Sequence, residues 1–259
     1  MIEAKKTLGQ HWLEDDATVN RIVEISEINS TEIILEIGPG TGNLTKELLK
    51  KAKKVIAVEV DNSLLSHLTG RFLEEIENSQ LELVNEDIRN FKFSILNEEY
   101  KLIANIPYYL TSYLIRLLAQ SENKPEVSVL LIQKEVAERL TAKPGKMSVL
   151  SLVAQLYFNC EKDIVVPANL FNPVPKVDSQ VVKLIKKTEL TFKDINYDKL
   201  IRFINLGFTM KRKKLVNNLL RNYPKDKIIS VFENLKINSN CRPQDLSLYD
   251  WYEIFINLA

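Results

Sequence analysis

Seven short runs rich in β-branched residues punctuate the first two thirds of the chain: EIILEIG, KVIAVEV, LELVNED, KLIANIP, VSVLLIQ, CEKDIVV and SQVVKLI. No other feature narrows the fold so far. Runs of this length suit buried strands. Between them, apolar residues recur at helical spacing, as in Val19, Ile22, Val23 and Ile25, in Leu44, Leu48 and Leu49, in Leu64, Leu65 and Leu68, and in Leu114, Ile115, Leu117 and Leu118. Alternation of this kind leads to a largely parallel sheet with helices over both faces, an α/β architecture. The last two runs are joined by the Pro-rich VPANLFNPVPKVDS with no helix between them, so the final strand is expected to enter antiparallel. Beyond Lys187 only the helical period persists, in stripes such as Leu200–Ile204, Leu215–Leu219 and Trp251–Phe255, with Pro224 and Pro243 at the breaks. The expected division is therefore an α/β domain over residues 1–187 and a small all-helical domain over 188–259.

The net charge of +1 conceals a segregation. Residues 176–227 carry +9, against −6 for 1–175 and −2 for 228–259. Concentration of this order points to a polyanionic partner, with a merely solvated lysine-rich face as the alternative. The consecutive Lys211, Arg212, Lys213 and Lys214 suit phosphate contacts, although four successive residues cannot all share one helix face. The longest mid-chain apolar run, Val129 to Ile132, is far too short to cross a bilayer, and the opening MIEAKKTLGQ lacks a signal-peptide core, so a cytoplasmic location without membrane contact is expected. Cys160 and Cys241 lack CxxC spacing and only two histidines occur, so neither a disulfide framework nor a metal site is expected.

Three of only seven glycines, Gly38, Gly40 and Gly42, follow the first strand directly. A turn there is where a nucleotide-like cofactor sits in such sheets, and glycine permits close backbone approach; a tight turn without ligand is the alternative. Glu59 ends the second strand 21 positions after Gly38, the spacing at which a carboxylate can bridge both ribose hydroxyls of an adenosine, whether of S-adenosylmethionine or of NAD. Asp87, after the third strand, can accept from an adenine amine or serve as a helix cap.

At the end of the fourth strand, Asn105-Ile106-Pro107-Tyr108 resembles the (N/D/S)-P-P-(Y/F) motif of amino-methyltransferases in its N-(I/L)-P-Y form. An exocyclic adenine amine is a poor nucleophile because its lone pair is delocalised into the ring. Two acceptors, the Asn105 side-chain oxygen and the Ile106 carbonyl, can hold that amine with its lone pair aimed at a methyl donor. Pro107 fixes the backbone so that the carbonyl is presented, and Tyr108 can stack on an extruded base.

KKTLGQHWL, EIGPGTGNLT, QKEVAERL and VPANLFNPVPKVDSQVV extend the likeness over nearly the whole chain, which resembles the KsgA (RsmA) family of ribosomal RNA adenine dimethyltransferases. The resemblance implies a seven-stranded, Rossmann-like class I methyltransferase sheet and N6,N6-dimethylation of two adjacent adenosines in the hairpin near the 3′ end of small-subunit rRNA. It implies S-adenosylmethionine contacts at Gln10, His11, Leu13, Glu36, Gly38, Gly40, Gly42, Glu59, Asp87 and Asn105, and an aromatic hold on the target base at Phe171. Its partner is then small-subunit rRNA or the immature 30S subunit rather than DNA, met by a monomer. Two departures stand out: His11-Trp12-Leu13 replaces the usual Asn-Phe-Leu, and KPGKM replaces a common Tyr-Gly-Arg. Competing functions are an Erm-type methyltransferase of large-subunit rRNA, an NAD-dependent oxidoreductase of similar fold, and a mainly non-catalytic assembly factor. The oxidoreductase leaves Asn105–Tyr108 and the basic stretch without a purpose.

Overall fold

In a computed structural model of the chain, the described residues are 4–96, 98–189, 191–193 and 195–258. They divide into two compact units, residues 1–137 with 159–186, and residues 138–158 with 187–259. These units depart from a linear division at 187/188, because residues 138–158 leave the first unit and pack with the C-terminal helices.

The first unit is built on strands β1 (Ile33–Ile37), β2 (Lys54–Glu59), β3 (Leu81–Asn85), β4 (Tyr100–Asn105), β5 (Val127–Gln133), β6 (Phe158–Val166) and β7 (Ser179–Lys186), in the spatial order β3-β2-β1-β4-β5-β7-β6. Pairings among the first five are parallel, whereas β7 runs antiparallel to β5 from Val127↔Ile185 to Gln133↔Ser179. This is the reversal expected of a strand reached without a crossover helix. Helices α1 (Asp16–Ile25), α2 (Asn43–Leu49), α3 (Asn62–Arg71), α4 (Leu73–Glu77) and α5 (Thr111–Gln120) fill the connections. Asp15 caps α1 by accepting from the Thr18 amide, and Ile22, Leu48 and Leu68 are buried with Ile34, Val55 and Ile103 of the sheet.

The chain moves outward from β1 to β2 and β3 on one side and from β4 to β5 on the other. A crevice therefore opens at the carboxyl ends of β1 and β4, the switch point at which α/β sheets bind ligands. At the opposite end of the sheet, the buried Lys101 of β4 donates to the Ser26 and Glu27 carbonyls at 3.1 and 2.7 Å and pairs with Glu32 at 2.9 Å, so a cation satisfies the carboxyl end of α1.

Helix α6 (Lys134–Leu140) carries the chain across the division at residue 137. In the second unit, α7 (Val149–Tyr157) packs with α8 (Tyr197–Gly207), α9 (Leu215–Leu219), α10 (Lys225–Asn234) and α11 (Leu248–Leu258) around the fully buried Trp251, whose ring lies 5.5 Å from Phe208 and 5.9 Å from Phe203. Pro224 stands at the N-cap of α10, as the break in the stripe required. No helix of the described residues is long and apolar enough to cross a membrane.

Candidate active site

The crevice holds a cleft of about 1080 Å³ of empty space including its open mouth. Its walls come from the carboxyl ends of β1, β2 and β4 together with an N-terminal strap of residues 8–13. The turn after β1 places Gly38, Gly40 and Gly42 at φ of 66°, 58° and 86°, values L side chains rarely adopt. A Cβ on Gly40 would lie 2.9 Å from the Trp12 ring, and one on Gly42 would lie 2.6 Å from Phe72. Backbone conformation thus favours glycine at all three positions and close contacts demand it at two, so the stronger pointer to a ligand is the carboxylates around the turn.

Glu59, buried at the end of β2, receives the Val60 and Asp61 amides on Oε1, each at 2.9 Å. Burial pushes its pKa up, and these backbone hydrogen bonds act against that rise. Glu36, on β1, is 1% exposed. Its pKa is pushed up to about 8, mainly by burial and further by the charge of Glu59. Its Oε2 has no hydrogen-bond partner among the described residues. Asp87 does not cap a helix. It forms a turn by accepting the Arg89 amide at 2.9 Å, and the Arg89 Nε lies 2.9 and 3.0 Å from its two oxygens, so hydrogen bonding to Arg89 holds its carboxyl below the usual range. An adenine amine approaching Asp87 meets a carboxylate already bonded to Arg89.

Asn105 ends β4, and its Nδ2 donates to the His11 backbone carbonyl at 3.1 Å. The carboxamide is oriented by that bond, and Oδ1 accepts nothing from the described residues. The Ile106 amide donates to Leu131 at 3.4 Å, while the Ile106 carbonyl likewise accepts nothing from them. Two unpaired acceptors from adjacent residues therefore stand in the cleft wall, open to a ligand's donors. Pro107 follows at φ −52°. Tyr108 is fixed at its hydroxyl, 2.8 Å from Ser179 Oγ, and its ring stacks on His11 with centroids 5.8 Å apart.

The strap is held at several points. His11 Nδ1 lies 2.6 Å from the Pro173 carbonyl, an acceptor only, so that nitrogen carries a proton. Trp12 and Leu13 pair antiparallel with Asn172 and Phe171, which places Leu13 and the buried Phe171 together in the cleft wall. Gln10 lines the cleft, yet its side chain donates to Asp61 at 3.1 Å and accepts the Lys5 amide at 2.7 Å. Asp61 also takes Lys5 Nζ at 2.7 Å; burial raises its pKa, but the hydrogen bonds from Lys5, Ser63 and Gln10 prevail and hold it well below the ordinary carboxylate range. Neither Lys5 nor Asp61 stood out in the sequence. Asp-Asn-Ser ahead of Leu64 signals a helix cap, which Asp61 provides for α3, but nothing local announces a partner 56 residues away.

Lys211, Arg212, Lys213 and Lys214 do not join the cleft. They lie exposed on a turn of the second unit between α8 and α9 rather than on a helix, and Lys214 Nζ bonds Asn240 Oδ1 at 2.5 Å. Among the described residues no cluster of three metal-ligating side chains occurs.

The model of the family described as ribosomal RNA adenine dimethylase matches residues 1–259. The chain is 37% identical to a protein named ribosomal RNA small subunit methyltransferase A from Mycoplasmopsis pulmonis (strain UAB CTIP), over 99% of this chain and 100% of that one. It is 40% identical to the protein of the same name from Mycoplasmopsis synoviae (strain 53), over 95% and 93%. Among solved structures, a dimethyladenosine transferase from Plasmodium falciparum superposes with a TM-score of 0.81 at 32% identity, covering 94% of this chain and 96% of that one. The 23S rRNA methyltransferase ErmE does so with 0.78 at 27%, covering 95% and 99%.

Proposed function

Because the chain belongs to the ribosomal RNA adenine dimethylase family, with full-length likeness to its KsgA type, we propose that it transfers methyl groups from S-adenosylmethionine to adenine N6 in small-subunit rRNA. The product is N6,N6-dimethyladenosine at two adjacent positions of the 3′-terminal hairpin loop of 16S rRNA. The enzyme acts as a cytoplasmic monomer on the immature 30S subunit and contributes to its assembly. The observation that carries this reading is the pair of unpaired acceptors, Asn105 Oδ1 and the Ile106 carbonyl, on the cleft wall opposite the buried Glu59 strand end.

The cleft fits the cofactor on three counts: a carboxylate at the ribose position, the unpartnered Glu36 Oε2 beneath the turn, and a loop whose φ angles exclude side chains. Glu59 would hold the ribose hydroxyls, Asp87 the adenine amine, and Gly38, Gly40, Gln10, His11 and Leu13 would line the remainder. Bound there, S-adenosylmethionine supplies an electrophilic methyl group on a sulfonium. Asn105 Oδ1 and the Ile106 carbonyl would accept hydrogen bonds from the N6–H groups of the target and thereby turn its lone pair toward that methyl group. Both oxygens would also stabilise the positive charge that develops on N6 as the carbon–nitrogen bond forms and the carbon–sulfur bond breaks, after which N6 gives up a proton to solvent. Tyr108, pinned through Ser179, and Phe171 confine the base, and the strap excludes water. Lys211 to Lys214 bind phosphates and position the RNA without reading its sequence.

Glu59→Ala is expected to weaken S-adenosylmethionine binding by about 10- to 100-fold, the range for a hydrogen bond to a charged group, and to leave RNA affinity within about twofold. Calorimetry against each ligand checks this, and an unchanged cofactor affinity would remove Glu59 from the ribose site. The function itself is tested with tritiated S-adenosylmethionine offered to purified small and large subunits lacking adenine methylation. Dimethyladenosine in the small subunit alone is the expected result. Label in the large subunit would instead indicate Erm-type specificity, which the similarity to ErmE makes the alternative to examine, and no label in either would favour a non-catalytic assembly role.

A further inference from the structure

Tyr109 and Tyr113 have no part in the chemistry above, yet both are exposed aromatic side chains of the first unit, at 58% and 42%. Tyr109 lies on the 3-10 turn 108–110 that leads into α5, and Tyr113 lies in the first turn of α5. Tyr109 lines the cleft at its mouth, so the pair adjoins the acceptor site. Its ring is braced: the position of a Cβ on Gly9 of the strap lies 3.3 Å from two of its carbons. Tyr113 is braced through its hydroxyl, which donates to the Arg89 backbone carbonyl at 3.3 Å. The Arg89 guanidinium, exposed and bonded to Asp87, lies near both tyrosine hydroxyls. Arg116, one turn beyond Tyr113 on α5, is exposed as well.

Exposed aromatic rings beside guanidinium groups suit stacking with a nucleobase and pairing with its phosphate. We propose that Tyr109 and Tyr113, flanked by Arg89 and Arg116, form a stacking platform for the nucleobase adjacent to the extruded adenosine on the same RNA strand. This rests on the function proposed above and adds a second nucleotide subsite to it. Stacking on a ring does not select among bases, so the platform takes whichever neighbour the strand presents, including the second substrate adenosine. Held there, the neighbour keeps the strand splayed while the target occupies the cleft.

The test is the affinity of the full chain, by fluorescence anisotropy, for a hairpin RNA with two adjacent adenosines in its loop and for the same RNA with one or other neighbour of the target made abasic. The double variant Tyr109→Ala/Tyr113→Ala is expected to bind the intact hairpin about tenfold more weakly than wild type. The Tyr109→Phe/Tyr113→Phe variant, which keeps both rings, should bind within about twofold of wild type. On the RNA lacking the stacked base, the alanine variant and wild type should bind alike, since the cycle isolates the pairwise contact. The proposal is overturned if the alanine loss persists on every abasic RNA, if the phenylalanine variant loses as much, if the alanine variant loses nothing, or if wild type fails to bind the hairpin. Methyl transfer to unmethylated small subunits, run in parallel, separates the two readings: its absence defeats the function and the platform together, whereas normal transfer with ring-independent RNA affinity defeats the platform alone.

Discussion

Asn105→Ala is expected to lower the rate of methyl transfer by a factor on the order of a hundred to a thousand, the loss typical when one positioned group that stabilises a transition state is removed. The substitution deletes the Oδ1 acceptor and also the Nδ2 donor that meets the His11 carbonyl at 3.1 Å. Cofactor affinity should fall by less than tenfold, because Glu59 and the turn after β1 are untouched. Single-turnover transfer into unmethylated small subunits, with cofactor binding measured separately, divides the two effects. Asn105→Asp sharpens the point: it keeps an acceptor oxygen for the amine but sets a carboxylate against the His11 carbonyl, so its rate should fall between wild type and alanine. An alanine variant that dimethylates at the wild-type rate would show that the acceptor site lies elsewhere.

Glu36→Gln should reshape the dependence of stability on pH. Burial, with the charge of Glu59 adding to it, holds the Glu36 carboxyl near a pKa of about 8 in the folded chain, against 4.5 for an unperturbed glutamate. Below pH 4.5 both states are protonated at this group and it favours neither. Between 4.5 and 8 the unfolded chain ionises while the folded chain keeps its proton, so the unfolded state binds fewer protons and stability falls as pH rises. Each pH unit separating the two pKa values corresponds to about 1.4 kcal/mol, so the contribution across this window is of the order of a few kcal/mol. Glutamine reproduces the neutral carboxyl in shape and polarity and cannot ionise. The variant should therefore match wild type near pH 5 and exceed it near pH 8 in denaturant unfolding of the cofactor-free chain. Parallel stability profiles for the two proteins would refute the buried-acid account.

Much of this architecture is legible in the sequence because it is locally encoded. All seven β-branched runs are strands of the sheet, and the antiparallel entry of β7 follows from the lack of a helix after β6. Glu59 and Asn105 could be placed because each closes a strand, and strand ends in a parallel sheet converge on one edge. What stayed hidden are pairings between distant segments. Lys101 sits within KLIAN as an apparently solvent-facing lysine, yet carbonyls more than 70 positions away draw it into the interior. The bond between Lys5 and Asp61 and the ladder of Trp12–Leu13 with Phe171–Asn172 likewise have no periodic signature. The glycine cluster was read as a ligand cradle, but contacts with Trp12 and Phe72 require two of its members whatever binds there.

The excursion of residues 138–158 gives the second unit a different standing from that of an appended module. The backbone passes between the units three times, at 137/138, 158/159 and 186/187. Met147, Leu152 and Leu156, all buried in the second unit, are synthesised well before Trp251 and Phe255, with which they share a core. Those apolar side chains can be covered only after the helices that follow residue 187 have been made. A chain cut near residue 187 would carry every strand of the sheet and still leave α7 without the helices it packs against.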